Sequence, residues 1–291
     1  MISMQGRMLI KMSTMADTKR DEGLTIPGEI CYDRGIEYGE DKDFQNLDIC
    51  FLQRAEKLPV IVSVHGGGYV YGSTKVYQFY CADLARRGFA VINFNYRLAP
   101  KFQYPAPLED LNAVMNWLAS EACTKKYPVD LSHVFLLGDS AGAQIASQYG
   151  AIFTNPDYNA QFGFSLPDLK LLGLGLNCGM YDIPEQIRLE KGRGIWKDYL
   201  GSRVKNLPES LDVLANITKD YPPAHIMTAH GDSMKPFAQP MQDFLQKKGI
   251  RCECKIYGDE KTYHVFHVNV RSEVGRQAND EQTAFFKSLM E

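Results

Sequence analysis

A serine with a glycine two positions away on either side is the first group in this sequence with the pattern of a nucleophile. Gly138-Asp139-Ser140-Ala141-Gly142 follows the apolar run Val134 to Leu137 and precedes a helix-patterned segment. On a sharp strand-to-helix turn the serine is exposed, and the glycines let crowded backbone segments pass closely. The helix N-terminus also favours negative charge. The pattern predicts that Ser140 is a nucleophile in acyl transfer.

A glycine-rich loop indicates the second requirement of that chemistry. His65-Gly66-Gly67-Gly68 directly follows the apolar run Val60 to Val64. Attack of a serine on a carbonyl creates an oxyanion, which needs preorganised N–H donors, and glycines let the backbone approach it closely. We expect these donors to be the amides of Gly67, Gly68 and Ala141. A phosphate cradle is the alternative, but neither G-x-G-x-x-G nor a P-loop lysine with its Ser/Thr partner is present.

The elements that must position these loops alternate between strand-like and helix-like patterns from Asp48 onward. This alternation predicts an α/β fold with a mostly parallel sheet covered by helices on both faces. The predicted strands are Leu47 to Gln53, Val60 to Val64, Ala90 to Asn95, Val134 to Leu137, Leu171 to Leu176, His225 to Ala229 and Cys252 to Tyr257. Helices are predicted for the segment that contains Leu108, Leu111, Met115 and Leu118, after Ser140, near Met241 to Gln246 and near Glu281 to Met290.

Two segments fall outside the alternation. The N-terminus has repeated methionines but no secretory signal pattern, and we expect residues 1–45 to be peripheral and residues 46–291 to form the α/β domain. The connection between Leu176 and His225 is too long for an ordinary loop. It contains Trp196 and Tyr199 among many charges, which predicts a small cap at about residues 180–220, with a surface excursion as the alternative.

Composition excludes several classes of partner. A formal net charge of -3 leaves no excess of basic residues for nucleic acid or an anionic membrane surface, and no transmembrane run occurs. The seven cysteines are scattered, without a regular disulfide framework, which favours reduced thiols in the cytoplasm. Cys252 and Cys254 alternate along a predicted strand, so packing is favoured over a metal or redox pair.

With these motifs, the chain resembles the bacterial hormone-sensitive-lipase-like carboxylesterases and acetyl esterases, a branch of the α/β-hydrolase superfamily. The resemblance covers roughly Leu58 to His267 and includes Tyr96-Arg97-Leu98-Ala99-Pro100 followed by Pro105-Ala106-Pro107 and Asp110. Lys101 replaces the glutamate that is usual after this segment. The resemblance implies the α/β-hydrolase fold.

The family order of serine, acid and histidine implies the other two members of a catalytic triad. Asp232 follows a late predicted strand, although Ser233-Met234 replaces the usual Pro-Leu. His264 lies in Tyr263-His264-Val265-Phe266-His267, which is similar to the family's His-Gly-Phe with valine in place of glycine. His264 is the expected general base and His267 is its rival; a His-x-x-His metal site lacks a third ligand at suitable spacing.

The resemblance implies a serine carboxylesterase that acts on small short-chain esters through an acyl-enzyme, with no metal or organic cofactor. Deacetylation or deferuloylation of plant-polymer fragments is an alternative substrate class. A catalytically inactive hydrolase-fold binding protein is an alternative of a different kind. Tyr69, Asp139 and Trp196 are the candidate pocket residues. The sequence leaves self-association open.

Overall fold

A single sheet runs through the computed structural model, which describes residues 1–53 and 56–291. Its eight described strands are β1 (Ile30–Glu37), β2 (Asn46–Leu52), β3 (Leu58–Val64), β4 (Ala90–Phe94), β5 (Val129–Asp139), β6 (Leu171–Asn177), β7 (Ala224–Ala229) and β8 (Cys252–Tyr257). Their spatial order is β1-β2-β4-β3-β5-β6-β7-β8. β2 pairs antiparallel with β1 and β4, and the other neighbouring pairs are parallel.

The register of the parallel strands determines where the loops with chemistry meet. Val64 at the end of β3 pairs with Gly138 near the end of β5, so the glycine loop and Ser140 leave the sheet side by side. The last residues of β7 and β8, Ala229 and Tyr257, are likewise paired. Since all four strands are parallel, the loops that follow them lie at one edge of the sheet.

Helices cover both faces of the sheet. The described α-helices are α1 (Met4–Asp21), α2 (Thr74–Arg86), α3 (Ala106–Ala119), α4 (Glu121–Thr124), α5 (Ala141–Thr154), α6 (Pro156–Ala160), α7 (Ile183–Leu189), α8 (Ile195–Leu200), α9 (Val213–Asn216), α10 (Lys235–Lys247) and α11 (Glu273–Lys287). Short 3₁₀ turns occur at Gly201–Lys205, Glu209–Leu211 and Phe266–Val268. None of the helices in the described residues is both long and apolar enough to cross a membrane.

The side chains of β3 show how the two faces are buried. Val60, Val62 and Val64 belong to one hydrophobic cluster, which includes residues of α3 and α5. Ile61 belongs to a second cluster with residues of α2 and α11. Because neighbouring residues of a strand point to opposite faces, this apolar strand is buried on both sides. The predicted mostly parallel sheet with helices on both faces is confirmed.

Residues 1–45 differ from the expectation of a peripheral segment. β1 is a strand of the sheet and pairs with β2, and α1 packs beside α8. Ser3 caps α1: its Oγ accepts a hydrogen bond from the Gly6 amide at 3.0 Å and donates one to Asp198 Oδ2 at 2.5 Å. These contacts fix α1 against a region almost two hundred residues away in sequence. Local sequence patterns do not record contacts at such a separation.

The long connection between β6 and β7 contains several short helices. α7, α8 and α9 lie within it, and the 3₁₀ turns Gly201–Lys205 and Glu209–Leu211 lie between α8 and α9. Trp196 and Tyr199 are buried on α8, and Tyr199 stacks on Tyr69 with ring centroids 3.8 Å apart. The aromatic side chains therefore attach this segment to the residue that follows the glycine loop.

Candidate active site

Ser140 occupies a strained turn between β5 and α5. Its backbone has φ 52° and ψ −119°, a combination that is rare for a residue with a side chain. A Cβ atom at Gly142 would collide with the carbonyl oxygen of Val64 in the neighbouring strand, so only glycine fits there. The turn projects the serine hydroxyl from the edge of the sheet into a cavity.

His264 lies between Ser140 and Asp232. Its Nε2 is 3.0 Å from Ser140 Oγ, and its Nδ1 is 2.8 Å from Asp232 Oδ1. Asp232 also accepts hydrogen bonds from the Met234 amide at 2.8 Å and the Thr228 hydroxyl at 2.9 Å. Burial raises the pKa of Asp232, but its interactions with His264, the Met234 amide and the Cys178 thiol outweigh burial and hold the pKa at about 2. The acid is thus ionised beside an imidazole that reaches the serine.

His267, the rival base, is away from this line. It is fully buried, and its ring packs edge-on against Tyr80 with centroids 5.3 Å apart. Neither ring nitrogen has a hydrogen-bond partner among the described residues. Burial lowers the pKa of His267 to about 3, so the ring is neutral. Val265 between the two histidines has φ 59°, the left-handed region that a glycine would occupy without strain.

The glycine loop curves over Ser140. Gly67 and Gly68 have φ 117° and 58° and line the cavity together with Ser140 and Ala141. A Cβ at Gly67 would collide with the Tyr71 carbonyl, which forces this position to be glycine. The amides of Gly67 and Gly68 donate to no acceptor in the described part of the chain. Ala141 is the first residue of α5, where helix N–H groups lack intrahelical partners.

A buried network fixes the base of this loop. The Tyr77 hydroxyl donates to Asp139 Oδ2 at 2.8 Å and accepts from the Gly66 amide at 3.0 Å. The His65 ring stacks on Tyr96 with centroids 4.1 Å apart. Asp139 lines the cavity but is 1% exposed, and burial raises its pKa to about 7. Asp139 therefore connects the turn at Ser140 to the glycine loop, with Tyr77, which sequence reasoning missed, as the bridge.

The cavity around Ser140 has a volume of about 750 Å³. Tyr69 and Trp196, both predicted, lie in its wall with ring centroids 6.1 Å apart, and the Tyr69 hydroxyl donates to Gln144 at 3.1 Å. This volume is typical of a small-molecule site. All three candidate pocket residues therefore contribute to one cavity.

One wall of the cavity comes from α1, which sequence reasoning missed. Its contribution includes Leu9, Ser13, Asp17 and Arg20. Asp17 forms an ion pair with Arg20, whose guanidinium nitrogen lies 2.7 Å from Oδ1, and its Oδ2 accepts a hydrogen bond from the Tyr71 hydroxyl at 2.9 Å. The bond to Tyr71 attaches the C-terminal half of α1 to the region of the glycine loop. Residues 9, 13, 16 and 20 have the spacing of one helical face, and this spacing is the sequence pattern from which the wall could have been predicted.

One group of side chains has the donor types of a metal site. The Sγ of Cys178, a carboxylate oxygen of Asp232 and a ring nitrogen of His264 lie within 4.8 Å of one another. Cys178 is buried, and desolvation keeps the pKa of its thiol well above the ordinary value. The neutral thiol lies beside the Asp232 carboxylate, whose Oδ1 is already bonded to His264 Nδ1 at 2.8 Å.

Comparison with known proteins identifies the family. A family profile described as alpha/beta hydrolase fold matches residues 61–268. The chain belongs to the α/β-hydrolase fold family. An acetyl esterase of Salmonella choleraesuis (strain SC-B67) is 26% identical over 242 residues, which cover 78% of this chain and 71% of the relative. Probable carboxylesterase 6 of Arabidopsis thaliana is 39% identical over 107 residues, which cover 35% of this chain and 32% of the relative.

Solved structures share the fold of this α/β hydrolase. Esterase B of Lactobacillus rhamnosis, inhibited by a C4-C4 SN3 tributyrin phosphonate, superimposes with a TM-score of 0.88 at 23% identity. The match covers 98% of this chain and 94% of that chain. The family profile and the curated esterase relatives confirm the predicted family and the predicted enzyme class, carboxylic ester hydrolase.

Proposed function

We propose that this α/β hydrolase cleaves short-chain carboxylic esters through an acyl-enzyme formed on Ser140. The observation that carries the proposal is the continuous line from Asp232 through His264 to Ser140, with bonds of 2.8 and 3.0 Å. Such a line lets an imidazole remove the serine proton while an ionised carboxylate stabilises the imidazolium. The low pKa of Asp232 supports this, because a protonated acid would not stabilise that charge.

The proposed reaction has two halves. In the first, His264 Nε2 takes the proton of Ser140 as Oγ attacks the ester carbonyl, and the oxyanion accepts bonds from the amides of Gly67, Gly68 and Ala141. The C–O bond then breaks and His264 returns the proton to the departing alcohol. In the second half, His264 takes a proton from water as the water oxygen attacks the acyl carbonyl. The bond to Ser140 Oγ then breaks, His264 returns the proton to Oγ, and the carboxylic acid leaves.

Crowding beside the oxyanion donors supports a short acyl chain. A Cβ at Gly68 would lie 2.8 Å from Leu9 Cδ2 and 3.2 Å from Ile195 Cδ1. These two side chains, from α1 and α8, close the space above the glycine loop. The remainder of the cavity is larger and includes the polar side chains Ser13, Asp17 and Asn269. We assign the crowded end to the acyl group and the roomier polar end to the alcohol.

Replacement of the nucleophile tests the proposal. Ser140→Ala should lower kcat on a chromogenic acetate ester by roughly 10⁴- to 10⁶-fold, because no other group would carry the acyl intermediate. Ser233→Ala is the matched control, since Ser233 also lines the cavity but lies off the catalytic line. A serine-directed phosphonate should label Ser140 alone by mass spectrometry. Residual turnover of Ser140→Ala within tenfold of the parent would favour an alternative nucleophile.

A further inference from the structure

Large apolar side chains are exposed at few places in the described residues, and most of them lie on α1 or in the residues just before it. They are Met1, Met4, Met8, Met12, Met15, Leu189, Ile256 and Tyr263. Tyr263 lines the cavity itself, and Leu189 directly precedes Glu190, which also lines it. Exposed apolar surface that is concentrated in this way marks a site of interaction.

The methionines form a stripe along the outer side of α1. Met4, Met8, Met12 and Met15 follow the i, i+4, i+8, i+11 spacing of one helical face, and they are 59–77% exposed. The neighbouring face of α1, with Leu9 and Ser13, lines the cavity. α1 therefore carries a wall of the cavity on one face and, beside it, an exposed apolar stripe.

Basic side chains surround this stripe although the whole chain has a net charge of -3. The exposed charged residues within α1 are all basic, and its two acids, Asp17 and Asp21, are paired with Arg20. Further exposed basic residues lie in two short segments, one just after Leu189 and the other just before Tyr263. The set comprises Arg7, Lys11, Lys19, Lys191, Arg193, Lys197 and Lys261. In the part of the chain that the structure describes, none of these seven forms an ion pair. The exposed acids that adjoin them are Glu190, Asp259 and Glu260.

We propose that this mouth face, formed by the outer side of α1 and residues 188–197 and 261–263, docks on an anionic lipid surface. An amphipathic helix with apolar side chains and a basic border is the type of element that lies in a lipid–water interface. Unpaired lysine and arginine side chains are attracted to anionic headgroups. A second copy of the chain would oppose like charges across the same face, so charge complementarity selects the lipid. Flexible methionine side chains adapt to such a disordered partner.

The sequence composition indicated no membrane partner because net charge averages over the whole surface. In the described part of the folded chain, seven exposed basic side chains without an ion pair lie on α1 and beside Leu189 and Tyr263, against three exposed acids there. Docking by this face would turn the cavity opening toward the lipid. Together with the proposed esterase function, this geometry makes lipid-dissolved esters the accessible substrates; the docking itself does not depend on that function.

Vesicle flotation of the full-length protein tests the docking. We expect binding to phosphatidylcholine vesicles that contain phosphatidylglycerol, little binding to pure phosphatidylcholine, and a decrease as salt is added. The double variants Met8→Gln/Met12→Gln and Lys11→Glu/Lys19→Glu should each lower the partition coefficient by about tenfold or more. None of these four residues lines the cavity, so hydrolysis of a soluble acetate ester should be unchanged.

Matched controls are available at the opposite edge of the sheet and on β8. Lys219→Glu/Lys247→Glu changes the same charge before β7 and at the end of α10, and Ile256→Gln removes an exposed apolar side chain from β8. These variants should bind vesicles like the parent. Absent binding, equal binding to neutral vesicles or equal losses in the controls would refute the proposal. A dimer in sedimentation velocity that the methionine substitutions disperse, without vesicle binding, would instead assign the face to self-association.

Discussion

Leu9 is expected to limit the length of the acyl chain, and Leu9→Ala should shift the preference toward longer esters. Leu9 Cδ2 lies 2.8 Å from where a Gly68 Cβ would be, so its terminal carbons fill the space beside the oxyanion donors. The substitution removes three carbon atoms and leaves room for about three methylenes of substrate. At about 0.8 kcal/mol for each buried methylene, the gain approaches roughly 2.4 kcal/mol. That free energy corresponds to roughly a fiftyfold change in relative kcat/KM.

The assay is kcat/KM for p-nitrophenyl esters from acetate to octanoate. For the parent, values should be highest from acetate to butyrate, whereas for Leu9→Ala the ratio of hexanoate to acetate should rise by up to roughly fiftyfold. Ile10→Ala is the matched control, because Ile10 is a partly buried α1 side chain that does not line the cavity. An unchanged acyl profile in Leu9→Ala, or the same shift in Ile10→Ala, would refute the assignment of Leu9 to the acyl pocket.

Three further predictions concern the buried charges and rings of the site. His264→Ala should lower kcat by roughly 10⁴-fold or more, whereas the kcat of His267→Phe should stay within tenfold of the parent, because the His267 ring has no described polar partner. The reverse result would show that His267 is the base. Asp232→Asn should lower kcat by about 10⁴-fold with near-normal KM, since the amide holds the imidazole in the wrong tautomer; a loss under tenfold would contradict the proposed role. Because burial raises the pKa of Asp139 to about 7, the folded protein holds a proton that the unfolded chain has released between about pH 4 and 7. Stability should therefore fall as pH rises through this window, by at most about 1.4 kcal/mol per unit, and Asp139→Asn should flatten that dependence in urea unfolding; equal slopes would contradict the raised pKa.

The parallel strands could be predicted because each is a short apolar run buried on both faces. β8 was predicted with its observed bounds, and β3 and β7 to within two residues at each end. β1 was missed because ICYDRGIE contains charges and a glycine, which an antiparallel outer strand tolerates. The helix predicted near Met241 begins earlier, at Lys235. Its first turns were missed because Pro236 and Pro240 are not typical of a helix interior.

The residues proposed for chemistry could be located from motifs because each follows a strand at a fixed edge of the sheet. The roof of the cavity could not be predicted, because α1 is held in place by contacts with α8 that are distant in sequence. Ser3 contacts Asp198, and Gln5 contacts Ile195. A pattern along the chain shows that a segment is helical, but it does not show what the helix covers. The spacing of the α1 methionines was compatible with a helix and gave no indication of the cavity behind it.

The contact between Ser3 and Asp198 has a consequence for how this protein could diversify. The two pieces that roof the cavity meet through a cap and a carboxylate separated by 195 positions in the chain. Inherited changes at either position must be matched at the other, whereas the loops that carry Ser140, Asp232 and His264 belong to the sheet and are independent of that pairing. New substrate ranges could thus arise by exchange of the first helix with its partner on α8, while the hydrolytic machinery is inherited unchanged. An engineer who replaces the N-terminal helix should transfer both ends of this contact together.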